Sequence, residues 1–358
     1  EQDAKNQPID QDLSEEHVEL FREIGDNLDS AITPKIDSAV NTDIGVFYQK
    51  KDSVGYTIYV YSADSGVFQL GFSNVGQGNG NYVQDVNEVA NGRVFKWVAP
   101  DTLGGLLVMN GSYEPIVKLV TPKKRQMAII GGKFSIGQNT SLIFETAVSN
   151  DDLNTFSSLD DGNNVGAAIK LSLRNKRKIG GSSEDPWNLI STVNYEQIDK
   201  QFVPIERFRK VEFDRNWNIK DIAIKGHQYL PGLSLELMQK GTGSFKYAFS
   251  TFIQGEQNTG YRNNGVLRVH KKGMKADFTG GIVQSSNNLN TSQFIRSKGV
   301  LSQDLKWVTI GIKEEHETNI FRDAQTDTLT PSSYEFYDWS IFVRSPDTVK
   351  NKLGFSYG

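Results

Sequence analysis

The sequence predicts an all-β fold, in which an amino-terminal helix and a β-sandwich precede a long series of antiparallel β-barrel strands. Three observations support it. Abundant glycine (33, against 10 proline) and aromatic residues (20 Phe, 13 Tyr, 5 Trp) favour strands joined by tight turns. Short β runs recur at sandwich spacing up to about residue 120. From about residue 126, apolar and polar side chains alternate as they do along barrel strands.

The composition excludes several classes of function. The chain has no cysteine, so disulfides, thiolate metal sites and cysteine nucleophiles are excluded. A formal charge of −4 offers no broad attraction for nucleic acid, which is not expected as a partner. The sequence has no run of about 18 apolar residues that would predict a spanning helix. Its mean hydropathy of −0.45 is compatible with spanning strands, because only alternate side chains of such strands are apolar.

Residues 1–42 are predicted to be a polar leader followed by a capped amphipathic helix. Ser14 precedes two glutamates, as a helix N-cap does. The apolar stripe that follows has helical spacing. Its members are Val18, Leu20, Phe21, Ile24 and Leu28.

Residues 43–121 are predicted to form a β-sandwich domain. Turn clusters such as 77–80 separate short β runs at the spacing of sandwich strands. The runs are Gly45–Gln49, Tyr56–Tyr61, Val67–Phe72, Tyr82–Val86, Val94–Val98 and Ile116–Val120.

Residues 122–358 are predicted to be an antiparallel β-barrel region. Phe245, Tyr247 and Phe249 fall on one face of a strand, whereas Lys246 and Ser250 fall on the other. A charged inward face is costly in a dry core but normal in a hydrated lumen, which favours a barrel. A sheet with one solvated face gives the same alternation, so the pattern alone leaves both architectures open.

The connections between these strands point to a barrel of the outer-membrane type. Tight turns, for example at 137–139 and 241–243, alternate with longer polar segments, as periplasmic turns alternate with external loops in bacterial barrels. The predicted long connections are Asn150–Asn164, Gln197–Lys220, Gln254–Asn264, Ser285–Lys298 and Glu314–Ser333. We expect on the order of ten to twelve strands. The final run, Leu353–Tyr357, would be a loose strand in a closed barrel, so the barrel region is expected to be incomplete at its carboxyl end.

Several sequence stretches resemble the start of large outer-membrane β-barrel proteins of Bacteroidota whose function is unassigned. The stretches are Pro115–Val120 with Pro122, Glu145–Ser149, Asp152–Ser157 with Asp160 and Asp161, Val211–Asn218, Asp338-Trp339, Pro346-Asp347 and Asn351-Lys352. The resemblance covers roughly residues 66–358. It implies the amino-terminal part of a longer outer-membrane protein with a periplasmic or plug-like sandwich. A role beside machinery for secretion or barrel assembly is only an association, and no catalytic residue can be carried over.

One long connection concentrates arginines, acids and aromatic residues, a mixture found where a segment docks on a partner or folds against a lumen wall. The candidate plug or partner contacts are Arg207, Phe208, Arg209, Phe213, Asp214, Arg215 and Trp217. The alternative interpretation is an ordinary packed loop.

A second connection is rich in the oxygen ligands that calcium prefers. Asp151, Asp152, Asp160 and Asp161 are the candidate ligands. Their spacing is not that of an EF-hand, and a solvated external loop is the favoured alternative. The four histidines are scattered, so no catalytic site and no enzyme activity is predicted, and no cofactor other than calcium is considered.

These patterns predict a bacterial outer-membrane β-barrel with a structural, channel or complex-component role in the cell envelope. Its partners would be outer-membrane lipid and other envelope proteins. The alternative is a soluble all-β binding module, secreted or held at the cell surface, such as an adhesin or a carbohydrate binder. That alternative requires Phe245, Tyr247 and Phe249 to lie in a dry core.

Overall fold

The computed structural model confirms the all-β class, because strands make up 61% of it and helix 7%, with one large antiparallel sheet. The described residues are 12–39, 45–53, 55–90, 92–104, 106–182, 184–217, 219, 226–255, 258–345 and 353–358. Two compact units divide the chain: an aromatic unit (Ala4–Lys124 and Asp152–Asp161) and a sheet unit (Glu1–Asp3, Arg125–Asp151 and Gly162–Gly358). Among the described residues, no helix has the length and apolar character needed to cross a membrane.

The first described element of the aromatic unit is a helix that is capped at its N-terminus by side chains. The Ser14 hydroxyl accepts the His17 N–H (3.3 Å) and His17 Nδ1 accepts the Ser14 N–H (3.2 Å). Phe21 of the helix is fully buried beside Ala31 and Leu119. The elements of this part of the chain are α1 (Glu15–Ile24), β1 (Ile32–Pro34), β2 (Ile36–Ser38), β3 (Tyr48–Ser53), β4 (Tyr56–Tyr61), β5 (Phe68–Leu70), β6 (Ser73–Asn74), β7 (Tyr82–Ala90), β8 (Gly92–Trp97), β9 (Asp101–Leu103), β10 (Leu106–Val108), β11 (Tyr113–Glu114) and β12 (Ile116–Lys118), with a 3-10 turn at Leu28–Ser30.

Two four-stranded antiparallel sheets, β2-β5-β3-β4 and β6-β11-β7-β8, share an aromatic cluster. Phe72 packs against Phe95 and Tyr82 at ring-centroid distances of 4.4 and 5.0 Å. The buried Tyr48 hydroxyl accepts the backbone N–H of Phe95 (3.0 Å), and the Tyr82 hydroxyl accepts that of Tyr59 (2.9 Å). Polar atoms inside this cluster are therefore hydrogen-bonded to the backbone of the facing sheet, which removes the cost of burying them.

The sheet unit contains a 13-stranded antiparallel sheet in which neighbours in sequence pair with each other. Its elements are β13 (Lys124–Ile136), β14 (Thr140–Asp152), β15 (Val165–Gly181), β16 (Pro186–Ile198), α2 (Phe213–Trp217), β17 (Gln228–Tyr229), β18 (Gly232–Gln239), β19 (Gly243–Gln254), β20 (Asn258–Lys271), β21 (Met274–Asn287), β22 (Asn290–Asp304), β23 (Thr309–Asp323), β24 (Tyr334–Arg344) and β25 (Gly354–Tyr357), with a 3-10 turn at Asp161–Asn163. The strands β17 and β18 together occupy one place between β16 and β19. Pro231 lies between them and has no N–H to donate, which interrupts the ladder. The strand count exceeds the predicted ten to twelve because this strand is broken in two.

The sheet does not close on itself. Its path starts at β13 and ends at β25, and these two strands are not paired with each other in the described residues. Within the described residues, β13 and β25 are therefore the edge strands of this sheet.

The strand register gives the sheet two faces of opposite character. We call the face that carries Phe245 and Phe249 the outer face, and the face that carries Lys246 and Ser250 the inner face. Side chains directly opposite one another form apolar rows on the outer face: Leu142, Leu173, Val193, Leu233 and Phe249; Leu237, Phe245, Leu267 and Phe278; Leu301, Ile312, Ile341 and Tyr357. The predicted alternation thus persists across the sheet.

The predicted pattern of long connections is partly wrong. β19 ends at Gln254 and β20 begins at Asn258, and only two residues separate the end of β21 at Asn287 from the start of β22 at Asn290. The segments predicted as the long connections 254–264 and 285–298 are therefore mostly strand, and β23 continues to Asp323. Polar side chains do not prevent pairing, because the ladder is made by backbone groups. Long connections remain at 153–164, 199–227 and 324–333.

Candidate functional site

The connection after β16 crosses the inner face of the sheet, and we call residues 199–217 the inner segment. The Asp199 N–H donates to the Ala167 carbonyl (2.8 Å), and the Val203 N–H donates to the Ser149 hydroxyl (3.0 Å). Gly166 permits this approach, since a Cβ there would lie 2.1 Å from the Phe202 backbone nitrogen. The inner segment is therefore held against the sheet from its first residues.

Trp217 anchors the far end of the inner segment. Its side chain is 3% exposed and packs in a cluster with Phe252, Val283 and Phe294 from β19, β21 and β22. The indole also lies over Gly260, where an added Cβ would be 3.2 Å from the ring. Burial of this large ring on a face that is otherwise polar fixes the segment by the hydrophobic effect.

Arg209 joins the middle of the inner segment to the sheet by charge. Its guanidinium forms an ion pair with Glu196 of β16 and donates to the Gln228 side chain (3.1 Å). It also lies over the rings of Phe208 and Phe213, 4.9 and 4.2 Å from their centroids. Burial lowers the pKa of Arg209 from its usual value, opposed by the neighbouring Glu196 carboxylate. An arginine stays charged under such a shift, so this is a partly buried ion pair.

The structure brings Arg209, Phe213 and Trp217 of the seven candidate contacts onto the inner face, where the Phe213 ring lies 5.4 Å from Phe252. The remaining four candidates act within the inner segment or face solvent. Arg207 donates to the carbonyls of Arg209 and Val211 (3.2 and 3.3 Å), and Phe208 is 52% exposed. The Asp214 carbonyl accepts the Ile219 N–H (2.9 Å). Arg215 forms an ion pair with Glu212 (2.7 Å).

A cavity of about 720 Å³ lies between the inner segment and the sheet. Its walls carry both signs of charge, including Glu145, Lys170 and Glu196, which stand directly opposite one another on β14, β15 and β16. Arg207 and Arg262 line it as well. Apolar residues such as Ile129, Phe202 and Trp217 line the rest of it, so the cavity combines charged groups with an apolar wall, as many ligand pockets do.

Sequence reasoning identified the inner segment but missed the sheet residues that receive it. Phe252 lies on the same face as Lys246 and Ser250, out of phase with the three aromatic residues of the outer face. An aromatic residue on the polar face of an alternating strand was the available signal, and it indicates that something covers the strand at that point.

The four candidate calcium ligands are not assembled into a site. Asp151 forms a bidentate pair with Arg125 (2.7 and 3.1 Å), and the Asp152 carboxylate accepts the Asn154 N–H (2.9 Å). Asp160 lies beside α1, 3.5 Å from the Asp26 nitrogen, and Asp161 begins a 3-10 turn. In the part of the chain that the structure describes, no three His, Asp or Glu side chains are grouped to hold a metal ion.

The chain matches no protein-family model, no curated protein and no solved structure.

Proposed function

We propose that the sheet unit forms part of the wall of an outer-membrane β-barrel and that the inner segment obstructs the lumen of this barrel. The chain would then have a structural, channel or complex-component role in the cell envelope. The single observation that carries the proposal is the opposite polarity of the two faces. Apolar side chains stand exposed on the outer face, while charged residues and the inner segment occupy the other. This is the polarity of a wall between lipid and a hydrated lumen.

The exposure of the outer-face rings favours the membrane over the soluble alternative. Phe245, Tyr247 and Phe249 are 51%, 43% and 37% exposed, whereas a soluble module would need them in a dry core. Contiguous apolar surface of this kind is rare on soluble monomers and typical of surfaces that meet lipid or a partner. Lipid is the partner that fits an entire sheet face.

The lengths of the strands support the same proposal. A tilted spanning strand needs about 9–11 residues. The strands from β19 to β23 have 12, 14, 14, 15 and 15 residues, enough to cross the hydrocarbon and extend beyond it. Unpaired backbone groups are costly in lipid, so the proposal requires the free edges of β13 and β25 to be covered in the membrane by further strands or by another envelope protein.

The inner segment gives the proposed lumen its function. A segment held by Trp217 at one end and by Arg209 in the middle restricts passage along the inner face. The adjoining cavity of about 720 Å³, lined by charged and apolar residues, leaves room for water and small solutes beside it. We therefore propose a restricted pore or a scaffold within an envelope complex, with no catalytic step.

Cell fractionation tests the proposal directly. We expect the expressed protein in the outer-membrane fraction, dependent on detergent for solubility and shifted in gel mobility by boiling. A protein that is monodisperse in buffer without detergent contradicts the proposal and returns the chain to the soluble, secreted or cell-surface class.

A further inference from the structure

A second cavity of about 290 Å³ lies on the inner face between β20, β21 and β22, and we call it the guanidinium pocket. Its charged lining residues are Arg262, Arg296 and Lys298, all cationic. The other lining residues are Asn216, Asn264, Thr279, Gly280, Gly281, Val283 and Phe294. A small pocket whose charged lining residues are all cationic is suited to an anion.

The positive charge of this pocket is only partly neutralised by the protein. Arg296 pairs with Glu317 and Lys298 with Glu315, each at 2.8 Å. Arg262 forms no ion pair within the described residues; with the Asn264 side-chain amide turned so that its oxygen faces the guanidinium, Nε donates to that oxygen at 2.8 Å. One half-buried guanidinium charge is therefore left without a countercharge.

Arg296, which lines the pocket, also has an unused donor. Its Nη2 is buried and has no hydrogen-bond partner in the described structure. A buried donor without an acceptor costs free energy, and the cost is larger for a charged group. An oxyanion between the two arginines would accept a hydrogen bond from Nη2 of Arg296 and would also neutralise the charge of Arg262.

The strand register explains why the pocket is open. Gly281 stands directly between Asn264 on β20 and Arg296 on β22. A Cβ at this glycine would lie 2.2 Å from the side-chain amide of Asn264. A side chain at this position would fill the space between the strands, so glycine leaves room for a group from outside the chain.

We propose that the guanidinium pocket binds the oxyanion group, phosphate or carboxylate, of a small water-soluble solute. Guanidinium groups bind both through paired, charge-assisted hydrogen bonds, and the surplus charge selects an anion over a neutral solute. The site lies on the face that the proposed function assigns to the lumen. It depends on the geometry of that face alone, so failure of anion binding and failure of membrane insertion are separate results.

Calorimetric titration of the purified protein with inorganic phosphate tests the site, with chloride at equal ionic strength as the reference. We expect saturable binding of one phosphate by the unmodified chain. Arg262→Gln should weaken binding at least about tenfold, the effect of losing one strong charge-assisted contact. Arg268→Gln makes the same charge change on the same strand and face outside the pocket, and should change the affinity less than about twofold.

Two results overturn the proposal. One is the absence of saturable phosphate binding to the unmodified chain. The other is an equal loss of phosphate affinity in Arg262→Gln and Arg268→Gln, because it would mean that phosphate responds to the overall positive charge of the face and not to this pocket. Arg262→Lys keeps the charge and removes the planar fork, so it serves if the glutamine variant does not fold. It should weaken binding at least about threefold because paired hydrogen bonds are lost. Unchanged affinity in a folded Arg262→Lys variant also contradicts the proposed paired contact.

Discussion

The aromatic unit and the sheet unit use the same residue types in opposite ways. In the aromatic unit, Tyr48 and Tyr82 are buried and their hydroxyls accept backbone N–H groups. In the sheet unit, Phe245 and Tyr247 are about half exposed on the outer face, and charged groups line the interior. The first arrangement is stable in water, whereas the second is the one that the proposed position in a membrane would stabilise. The proposed difference in solvent between the two units therefore rests on where their aromatic rings lie.

The largest expected effect is at the Trp217 cluster, where the sheet unit buries aromatic residues on its inner face. Trp217→Ala should destabilise the inner segment by about 3–5 kcal/mol, because it removes a fully buried ring and leaves a cavity. Limited proteolysis should then cut within residues 199–217. Val211→Ala, at a position 75% exposed in the same segment, is the control and should stay within about 0.5 kcal/mol. Equal resistance of both variants would mean that Trp217 does not anchor the segment.

The next largest effect tests the opposite polarity of the two faces. Phe249→Arg should destabilise the folded membrane form by about 2–4 kcal/mol if the outer face meets the middle of a bilayer. Ser250→Glu, one residue along, places its charge on the inner face beside the cavity and directly opposite Arg262, and should cost less than about 1 kcal/mol. Urea titration of the heat-modifiable gel shift measures both variants. Equal costs at the two positions would contradict the assignment of the faces.

A smaller effect is expected in Asp152–Asp161, the second stretch of sequence that belongs to the aromatic unit. Asn154 is 1% exposed, and its amide donates to the Phe21 and Gly25 carbonyls at 2.7 and 2.8 Å. Asn154→Ala leaves these carbonyls at the end of α1 without that donor, which should cost about 1–3 kcal/mol.

Ser157 provides a graded control for this prediction. Its hydroxyl makes one such bond, to the Arg22 carbonyl at 2.9 Å, so Ser157→Ala should cost about half as much. Chemical denaturation followed by tyrosine fluorescence measures both variants. If Asn154→Ala has no effect, the connection after β14 does not contribute to the stability of the aromatic unit.

Local patterns predicted much of this structure, and long-range register accounts for what they missed. Alternation along a strand is a local property, so the faces of β19 were readable from Phe245 to Ser250. The convergence of Trp217, Phe252 and Phe294 was not readable, because it depends on which strands become neighbours. Polar segments were taken for loops, although backbone pairing extends β20 and β22 through them.

The acidic loop shows the same limit for charged side chains. Its aspartates have the chemistry of calcium ligands, but Asp151 is paired with Arg125 and Asp152 with a backbone N–H. A carboxylate that already has a partner in the fold is not an available ligand, and the sequence alone does not reveal that partner. The guanidinium pocket was missed for the complementary reason, because only the register shows that Arg262 lacks an acidic partner.

The last prediction is a pH dependence confined to the aromatic unit. Burial raises the pKa of Tyr48 to about 12 from an ordinary value of 10.0, and burial also raises the pKa of Tyr82. Between pH 10 and pH 12 the unfolded chain releases the Tyr48 proton while the folded chain retains it. The unfolded state then binds fewer protons, so stability is fully present below pH 10 and falls as pH rises through this window.

Tyr48→Phe should flatten this decline, and Tyr82→Phe should flatten it further in the double variant. Each single variant also leaves a backbone N–H without its acceptor, at Phe95 or Tyr59, so the comparison must use the slope with pH and not the absolute stability. Denaturant midpoints between pH 9 and pH 12 give the slope. An unchanged slope in the double variant would mean that neither tyrosine is held neutral by the fold. The aromatic cluster would then not be the dry environment with which the sheet face is contrasted.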